Sequence, residues 1–360
     1  MLKLRPEKFG PHVQPTASQR FWQDALHFTM SLGGEVRGVI EGAPGFLLEI
    51  ARNGVYPSGM TFRKLAHNAQ AAEFATLRRN NPDWDFRPGY NPQEWVIVFL
   101  HGYIDNTGAD RIAYKLAELG YQIYVVRYPF LRSVVDLAHD LAAILAQIAE
   151  REPRAKLVPI GHSLGGFIWD ELLQSQPDVA LRYQMPLYIP LGSPHFGTLA
   201  AYLGVGESAR QMQPISDVVA NHLRRPFPLG LEIYPFVSRY DLLVLPIETA
   251  LVRDGVNYIL SETGHVAQII RDEIALAVEE ILASPADVLR DRASRRAFYP
   301  SSLMSILRAL PESVRRKLGI EDSINYVLGT GGEPPEFLLR IVHHELHRNT
   351  FPRLIRPLPG

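Results

Sequence analysis

Six short apolar runs recur across the middle of the chain, separated by longer segments with helical periodicity. Each run is short enough for a strand that is buried on both faces. The clearest helical segment begins at Ser133, where Asp136 three residues later completes a capping-box signal. Strand, helix and strand in alternation imply right-handed crossovers, so the sequence predicts an α/β fold with a mostly parallel sheet and helices on both faces. The runs cover residues 95–100, 121–126, 156–160, 187–191, 231–237 and 256–260.

Composition narrows the classes of function. The chain has 360 residues, of which 46% are apolar, which is enough for a full buried core. Its 37 Lys and Arg residues balance 38 Asp and Glu residues, so no net charge favours nucleic acid as a partner. Cysteine is absent, which excludes disulfides, thiolate metal sites and cysteine nucleophiles. The start of the chain has no apolar run typical of a secretory signal, and charges interrupt residues 26–48, so we expect a cytoplasmic protein without a membrane span.

The pattern divides the chain into three zones. Residues 1–85 are predicted to form a helical N-terminal extension, with helices beginning at Ser18 and Thr61. Residues 86–284 are the predicted α/β core, and residues 285–360 are a predicted helical C-terminal tail. In that tail a second helix is predicted over 336–347, where His343 and His347 would share one face and are expected to be solvated, with an adventitious metal site as the alternative. The other apolar stripe consists of Leu303, Ile306, Leu307 and Leu310. That tail carries 12 Lys and Arg against 8 Asp and Glu residues. Such an excess usually marks a solvated helical face, with peripheral contact to a membrane surface as the alternative.

Gly161-His162-Ser163-Leu164-Gly165 fits the GxSxG pattern of a nucleophile elbow. In an elbow a strand turns abruptly into a helix, and side chains at the two glycine positions would collide with neighbouring backbone. An apolar run precedes the motif and a helical segment follows it, as an elbow requires. The motif therefore predicts Ser163 as a nucleophile, against the alternative of a glycine turn with an idle serine.

His101-Gly102-Tyr103 directly follows the run at 95–100, at the sheet edge where ligands bind in such folds. Acyl transfer creates an alkoxide that needs preorganised donors. The backbone N–H groups of Tyr103 and Leu164 are predicted to form this oxyanion hole, while the Tyr103 ring has the alternative role of a pocket wall. We expect His101 to be structural.

Six segments together resemble bacterial lipases and related esterases of the α/β-hydrolase superfamily, in their order along the chain. The resemblance spans residues 95–282 and leaves the two ends of the chain unexplained. It implies the α/β-hydrolase fold, a catalytic triad of Ser163, Asp241 and His265, and a Ser193-Pro194-His195 loop that shapes the acyl pocket. The segments are WVIVFLHGY, VPIGHSLGG, YIPLGSPHFGT, ESARQMQPIS, SRYDLLVLP and ETGHVAQII.

The order of candidate residues predicts the same triad without the resemblance, because this topology places the acid and then the histidine after the serine. Asp241 follows the run at 231–237, whereas the rival Asp254 precedes the run at 256–260 and is expected at the opposite sheet edge. His265 is the only histidine between Asp241 and the tail. His162, His195 and His222 are expected to be structural or to line the pocket, with the His162 ring directed away from the triad.

The sequence thus predicts a serine hydrolase that cleaves carboxylic esters, of small molecules or lipids, through an acyl-enzyme and without a cofactor or metal. A thioesterase or an acyltransferase on the same triad is the alternative, and a non-catalytic interaction protein is a further one. Residues 196–230 are too long for an ordinary connection and are predicted to form a helical cap over the acyl site. The alternative is that these helices extend the core.

Overall fold

The strands form one mostly parallel sheet. The computed structural model describes residues 59–65, 94–103, 111–253, 255–260, 263–284, 301–328 and 341–344. Within these ranges the strand order is β1-β3-β2-β4-β5-β7-β8-β9, with β6 beside β5, and every pair except β1 with β3 is parallel. The strands are β1 Thr61–Lys64, β2 Trp95–Leu100, β3 Gln122–Arg127, β4 Lys156–His162, β5 Leu187–Leu191, β6 Glu232–Ile233, β7 Phe236–Ser238, β8 Asn257–Leu260 and β9 Ile341–His344.

Helices connect the strands and cover both faces of the sheet. Ser133 caps α2 by accepting a hydrogen bond from the Asp136 backbone N–H, as the capping signal predicts. The 3₁₀ segments Leu199–Leu203 and Ile247–Ala250 accompany the α-helices. The helices are α1 Arg111–Glu118, α2 Val134–Arg151, α3 Leu164–Ser175, α4 Asp178–Arg182, α5 Gly206–Gln211, α6 Asp217–Arg224, α7 Ala267–Ile270, α8 Asp272–Ala283, α9 Ser302–Ala309, α10 Glu312–Lys317 and α11 Glu321–Leu328.

The sheet separates two apolar clusters. Successive side chains of a strand point to opposite faces, so in β2 Ile97 and Phe99 join a cluster with α1 and α8, whereas Val96 and Val98 join one with α2 and α3. Every residue of β2 is buried. Burial on both faces explains why this strand is an uninterrupted apolar run in the sequence.

The predicted strand at 231–237 is divided into β6 and β7. Both pieces pair with β5, through Leu187 with Glu232 and through Leu191 with Phe236. Pro235 lies between them and has no N–H to donate to a ladder, which interrupts the pairing.

The predicted helix beginning at Thr61 is wrong over the described residues, because Thr61–Lys64 is strand β1 and pairs antiparallel with β3. Phe62 lies against Tyr124 with ring centroids 5.8 Å apart, so cross-strand packing overrides the local capping signal. The predicted helix at 336–347 is likewise contradicted by β9, which pairs with β8. The helix expected from Ser18 lies outside the described residues.

The C-terminal helices pack onto the core. Met304 and Ile320 belong to a third apolar cluster with Val237 and Ile259 of the central strands. Ile306, predicted to lie on the apolar stripe of α9, is 60% exposed. Across the described part of the chain, no helix combines the length and hydropathy needed to cross a membrane.

Candidate active site

Ser163 stands at the turn between β4 and α3 in a backbone conformation that side chains rarely adopt. Its φ is 53° and its ψ is −119°. A non-glycine residue in such a conformation costs on the order of 1–3 kcal/mol and persists only where the surroundings impose it. The surroundings here include the Leu191 carbonyl of β5, which accepts a hydrogen bond from the Ser163 N–H at 2.9 Å.

Two glycines make this turn sterically feasible. A Cβ added at Gly161 would lie 2.5 Å from the backbone nitrogen of Gly166, and one at Gly165 would lie 2.4 Å from the carbonyl oxygens of Leu100 and His101. Both positions therefore exclude any side chain, as the GxSxG pattern predicts. A strained serine turn between a central parallel strand and a helix, in this strand order, decides the architecture. The chain has the α/β-hydrolase fold.

Solved structures with this α/β-hydrolase fold include several lipases and esterases. The mature lipase BlEst2 from Bacillus licheniformis is 18% identical, with a TM-score of 0.45, over 55% of this chain and 99% of its own. Est1E from Butyrivibrio proteoclasticus is 13% identical, with a TM-score of 0.41, over 55% and 90%. The metagenomic carboxyl esterase MGS0156 is 15% identical, with a TM-score of 0.40, over 54% and 78%.

No protein-family profile and no curated protein sequence matches the chain. Identities and TM-scores this low do not indicate what the protein acts on. The fold assignment rests on its own strand order and serine turn.

Asp241 and His265 form a buried hydrogen-bonded pair. Nδ1 of His265 lies 2.7 Å from Oδ2 of Asp241, and both side chains are almost fully buried. Asp241 follows β7 and His265 follows β8, so both leave the carboxyl ends of strands, at the edge where β4 delivers Ser163. The rival Asp254 lies outside the described residues.

Backbone N–H groups hold the Asp241 carboxylate in place. Its Oδ1 accepts hydrogen bonds from the N–H groups of Leu243 and Val244, both at 2.8 Å. The following loop is held in turn by Thr198, whose Oγ1 donates to the Leu243 carbonyl at 2.8 Å and accepts from the Leu245 N–H at 2.9 Å. The carboxylate is therefore oriented with one oxygen directed at His265.

The segment His101-Gly102-Tyr103 lies directly against the serine turn. A Cβ on Gly102 would lie 3.2 Å from the Ser163 Cβ, which brings the two predicted oxyanion residues, Tyr103 and Leu164, next to the same serine. His101 donates through Nδ1 to the Gly102 carbonyl at 2.7 Å, and its ring stacks on Tyr128 at 4.2 Å. These contacts agree with the structural role expected for His101.

His162 does not point away from the triad residues as expected. Its ring centroid lies 4.7 Å from that of His265, and its Nε2 donates to the His265 carbonyl at 3.3 Å. Burial, and then the nearby His265, hold the pKa of His162 well below its ordinary value, so the ring is neutral. The sequence carries no signal for this contact beyond the position of His162 beside Ser163.

Two further acid–histidine pairs lie behind the serine turn, and neither carboxylate was identified from the sequence. His195 Nδ1 lies 2.7 Å from Asp170 Oδ2, and Tyr188 donates to the other oxygen of Asp170 at 2.9 Å. His222 Nε2 lies 3.2 Å from Glu171 Oε2. All four side chains are buried. His195 thus joins the loop after β5 to α3, and His222 joins α6 to α3.

The segment at 196–230 divides into a core part and a surface part. Val219 of α6 is fully buried in the cluster that includes α3, so α6 extends the core rather than forming a cap. Leu203 and Val205 are 91% and 67% exposed. The 3₁₀ segment that ends at Leu203 is tied to the loop after Asp241, because the Leu199 N–H donates to the Leu245 carbonyl at 2.8 Å.

Tyr103 ties the other end of this surface segment to the predicted oxyanion loop. Its hydroxyl donates to the Val205 carbonyl and accepts from the Val205 N–H at 2.9 Å. Its ring meets Phe130 edge-on at 4.8 Å. The segment from Leu199 to Val205 thus links the loops that carry Asp241 and Tyr103.

The described residues contain no cluster of three or more His, Asp or Glu side chains arranged to hold a metal ion. His343, which the sequence places one helical turn before His347, lies in strand β9. A shared helix face for these two histidines is therefore wrong.

Proposed function

We propose that the protein is a serine hydrolase that cleaves carboxylic esters, with Ser163 as nucleophile, His265 as general base and Asp241 as the carboxylate that orients it. The observation that carries the proposal is the strained serine turn at the carboxyl end of β4, together with a buried Asp241–His265 pair at the same sheet edge. A fold alone implies no activity, but a serine in a strained turn and a buried acid–histidine pair at one sheet edge support nucleophilic acyl transfer, which uses a nucleophile, a base and an orienting acid.

The proposed reaction proceeds through an acyl-enzyme. His265 accepts the Ser163 hydroxyl proton through Nε2 as Oγ attacks the ester carbonyl, and then gives it to the departing alkoxide. In the second half water attacks the acyl group and loses a proton to His265. The bond between the acyl carbon and Ser163 Oγ then breaks, the carboxylic acid leaves, and His265 returns the proton to Oγ. Asp241 stabilises the imidazolium in both halves, since its Oδ2 faces Nδ1 at 2.7 Å.

The oxyanion of each tetrahedral intermediate is proposed to bind the backbone N–H groups of Leu164 and Tyr103. Loss of one such donor typically costs about 10²–10³-fold in kcat. Because the donors are backbone groups, their position depends on the serine turn and on the contact of Gly102 with it.

Esters with an apolar acyl group are the proposed substrate class. Leu203 and Val205 expose apolar side chains on a segment that joins the loops of Asp241 and Tyr103. Apolar surface on a segment tied to both of these loops favours acyl chains over polar groups.

Labelling with a fluorophosphonate probe tests the nucleophile. Ser163 should be labelled in the wild type, and Ser163→Ala should abolish labelling and lower kcat for p-nitrophenyl esters by several orders of magnitude. The melting temperature should not fall, because alanine keeps the Cβ and the substitution removes only one hydroxyl group. Ser175→Ala is the control and should leave labelling unchanged, since Ser175 is exposed at the other end of α3. Labelling that survives in Ser163→Ala would place the nucleophile elsewhere.

The reaction class needs a separate measurement. Purified protein should hydrolyse p-nitrophenyl esters of increasing chain length faster than an acyl-CoA thioester at matched chain length. Faster cleavage of the thioester would make the protein a thioesterase on the same residues.

A further inference from the structure

His162 contacts three segments that the proposed reaction must bring together. It belongs to β4 and immediately precedes Ser163. Its Nε2 donates to the backbone carbonyl of His265, and its Nδ1 lies 2.9 Å from the place where a Gly102 side chain would begin. The ring is only 4% exposed.

The direction of this hydrogen bond fixes the state of the His162 ring. A backbone carbonyl only accepts, so the proton must be on Nε2. Nδ1 is buried without a hydrogen-bond partner in the structure, and a proton there would also be unsatisfied. The groups that face the ring are His265, with Asp241 behind it, and His101 from the loop after β2.

The His265 backbone needs such an anchor because it lies outside regular structure. Residues 263–266 form a turn between β8 and the four-residue helix α7. The His265 carbonyl also accepts a local hydrogen bond from the Gln268 N–H, at 3.3 Å. The bond from His162 ties it instead to β4, which is paired on both sides, with β2 and β5.

We propose that His162 is a positioning residue, which holds the His265 backbone at a fixed place relative to Ser163 while Asp241 holds the His265 ring. This inference rests on the proposed function. The base is then held at two points, its ring by a carboxylate and its main chain by an imidazole, and small displacements at such a site reduce rate steeply. His162 has no carboxylate partner among the described residues and accepts no proton in the reaction.

The first experiment compares His162→Phe with His162→Gln. Phenylalanine keeps the ring volume but removes the donor, so kcat for p-nitrophenyl butyrate should fall about 10²-fold with KM unchanged. Glutamine keeps an N–H donor of similar reach and should recover most of that loss. The rate of fluorophosphonate labelling should follow kcat, whereas the melting temperatures of the two variants should be similar.

The outcomes separate this inference from the proposed function. The positioning role would be overturned if His162→Phe kept the wild-type kcat. It would also be overturned if kcat fell equally in both variants and in step with their melting temperatures. Either result leaves Ser163 as the nucleophile. Undiminished activity in Ser163→Ala would overturn the proposed function itself.

A second experiment measures the protonation state of the His162 ring directly in the wild-type protein, by NMR. In ¹⁵N-histidine-labelled wild type, the His162 imidazole should be neutral and protonated on Nε2 at pH 6, where an imidazole with the ordinary pKa of 6.5 is mostly cationic. Its signals are assigned by their loss in His162→Gln or His162→Phe. A cationic ring at pH 6, or a proton on Nδ1, would contradict the hydrogen bond on which the proposal depends.

Discussion

Asp241 and Asp254 are the two carboxylates that compete in the sequence for the position behind His265. Asp241→Asn should lower kcat on the order of 10³–10⁴-fold, because the amide favours the wrong histidine tautomer. Asp254→Asn is the matched control and should leave kcat close to the wild-type value, since residue 254 precedes β8 at its amino end. Steady-state kinetics of both variants test the assignment. A larger loss in Asp254→Asn would reverse it.

Glu279 is a single residue whose burial makes stability depend on pH. It lies on α8, is fully buried, and neither carboxylate oxygen has a hydrogen-bond partner in the structure. Desolvation by burial raises its pKa well above the ordinary value of 4.5. Above pH 4.5 the unfolded chain therefore ionises at this residue while the folded protein stays protonated, so stability is lost as pH rises toward the folded pKa.

Glu279→Gln removes this titration. The free energy of unfolding of the variant relative to wild type should increase with pH, by at most about 1.4 kcal/mol per pH unit between the unfolded and the folded pKa. Urea unfolding from pH 4 to pH 8 measures the trend, and Glu280→Gln on the same helix is the control. A difference that does not change with pH would mean that Glu279 is ionised in the folded protein.

At the scale of elements, the local sequence pattern predicts strand bounds correctly where both faces of a strand are buried along its whole length. Strands β2 and β5 have the predicted bounds because both faces are buried along their length. Pattern failed where partners distant in sequence decide the structure. Thr61 begins a strand because β3 offers an edge, and α6 is core because α3 covers Val219. The Asp170–His195 pair joins residues 25 positions apart, with no spacing signal to reveal it.

The surface segment between Leu199 and Val205 gives a prediction at this scale. Leu203→Trp should shift preference toward shorter acyl chains while fluorophosphonate labelling of Ser163 persists, because the larger ring would occupy space beside the acyl group. Leu229→Trp, at a fully exposed position of the same insertion, is the control. Val219→Trp should instead destabilise the protein by about 1–3 kcal/mol through overpacking. A chain-length profile unchanged by Leu203→Trp would assign the segment to the scaffold.

At the scale of the whole molecule, the outer segments are joined to the core. Glu248, buried after β7, accepts hydrogen bonds from the backbone N–H and the hydroxyl of Ser301 at the start of α9. Strands from both outer zones, β1 and β9, extend the central sheet. The predicted limits of the α/β core, near residues 85 and 285, remain predictions. Strands β1 and β9 lie outside these limits and still join the sheet, because strand pairing depends on contacts between distant residues that composition does not encode.

Strand β1 also determines how the molecule meets its own copies. An open sheet edge presents unpaired N–H and C=O groups that can template addition of a strand from another chain. Over the described residues this edge is only four residues long, runs antiparallel to its neighbour, and exposes Arg63 and Lys64. Lys64 is paired with Glu152 of its own chain, and Arg63 donates to the Tyr114 hydroxyl. A second copy adding its strand here would have to displace these contacts, so the short border of the sheet is unfavourable for pairing with another molecule.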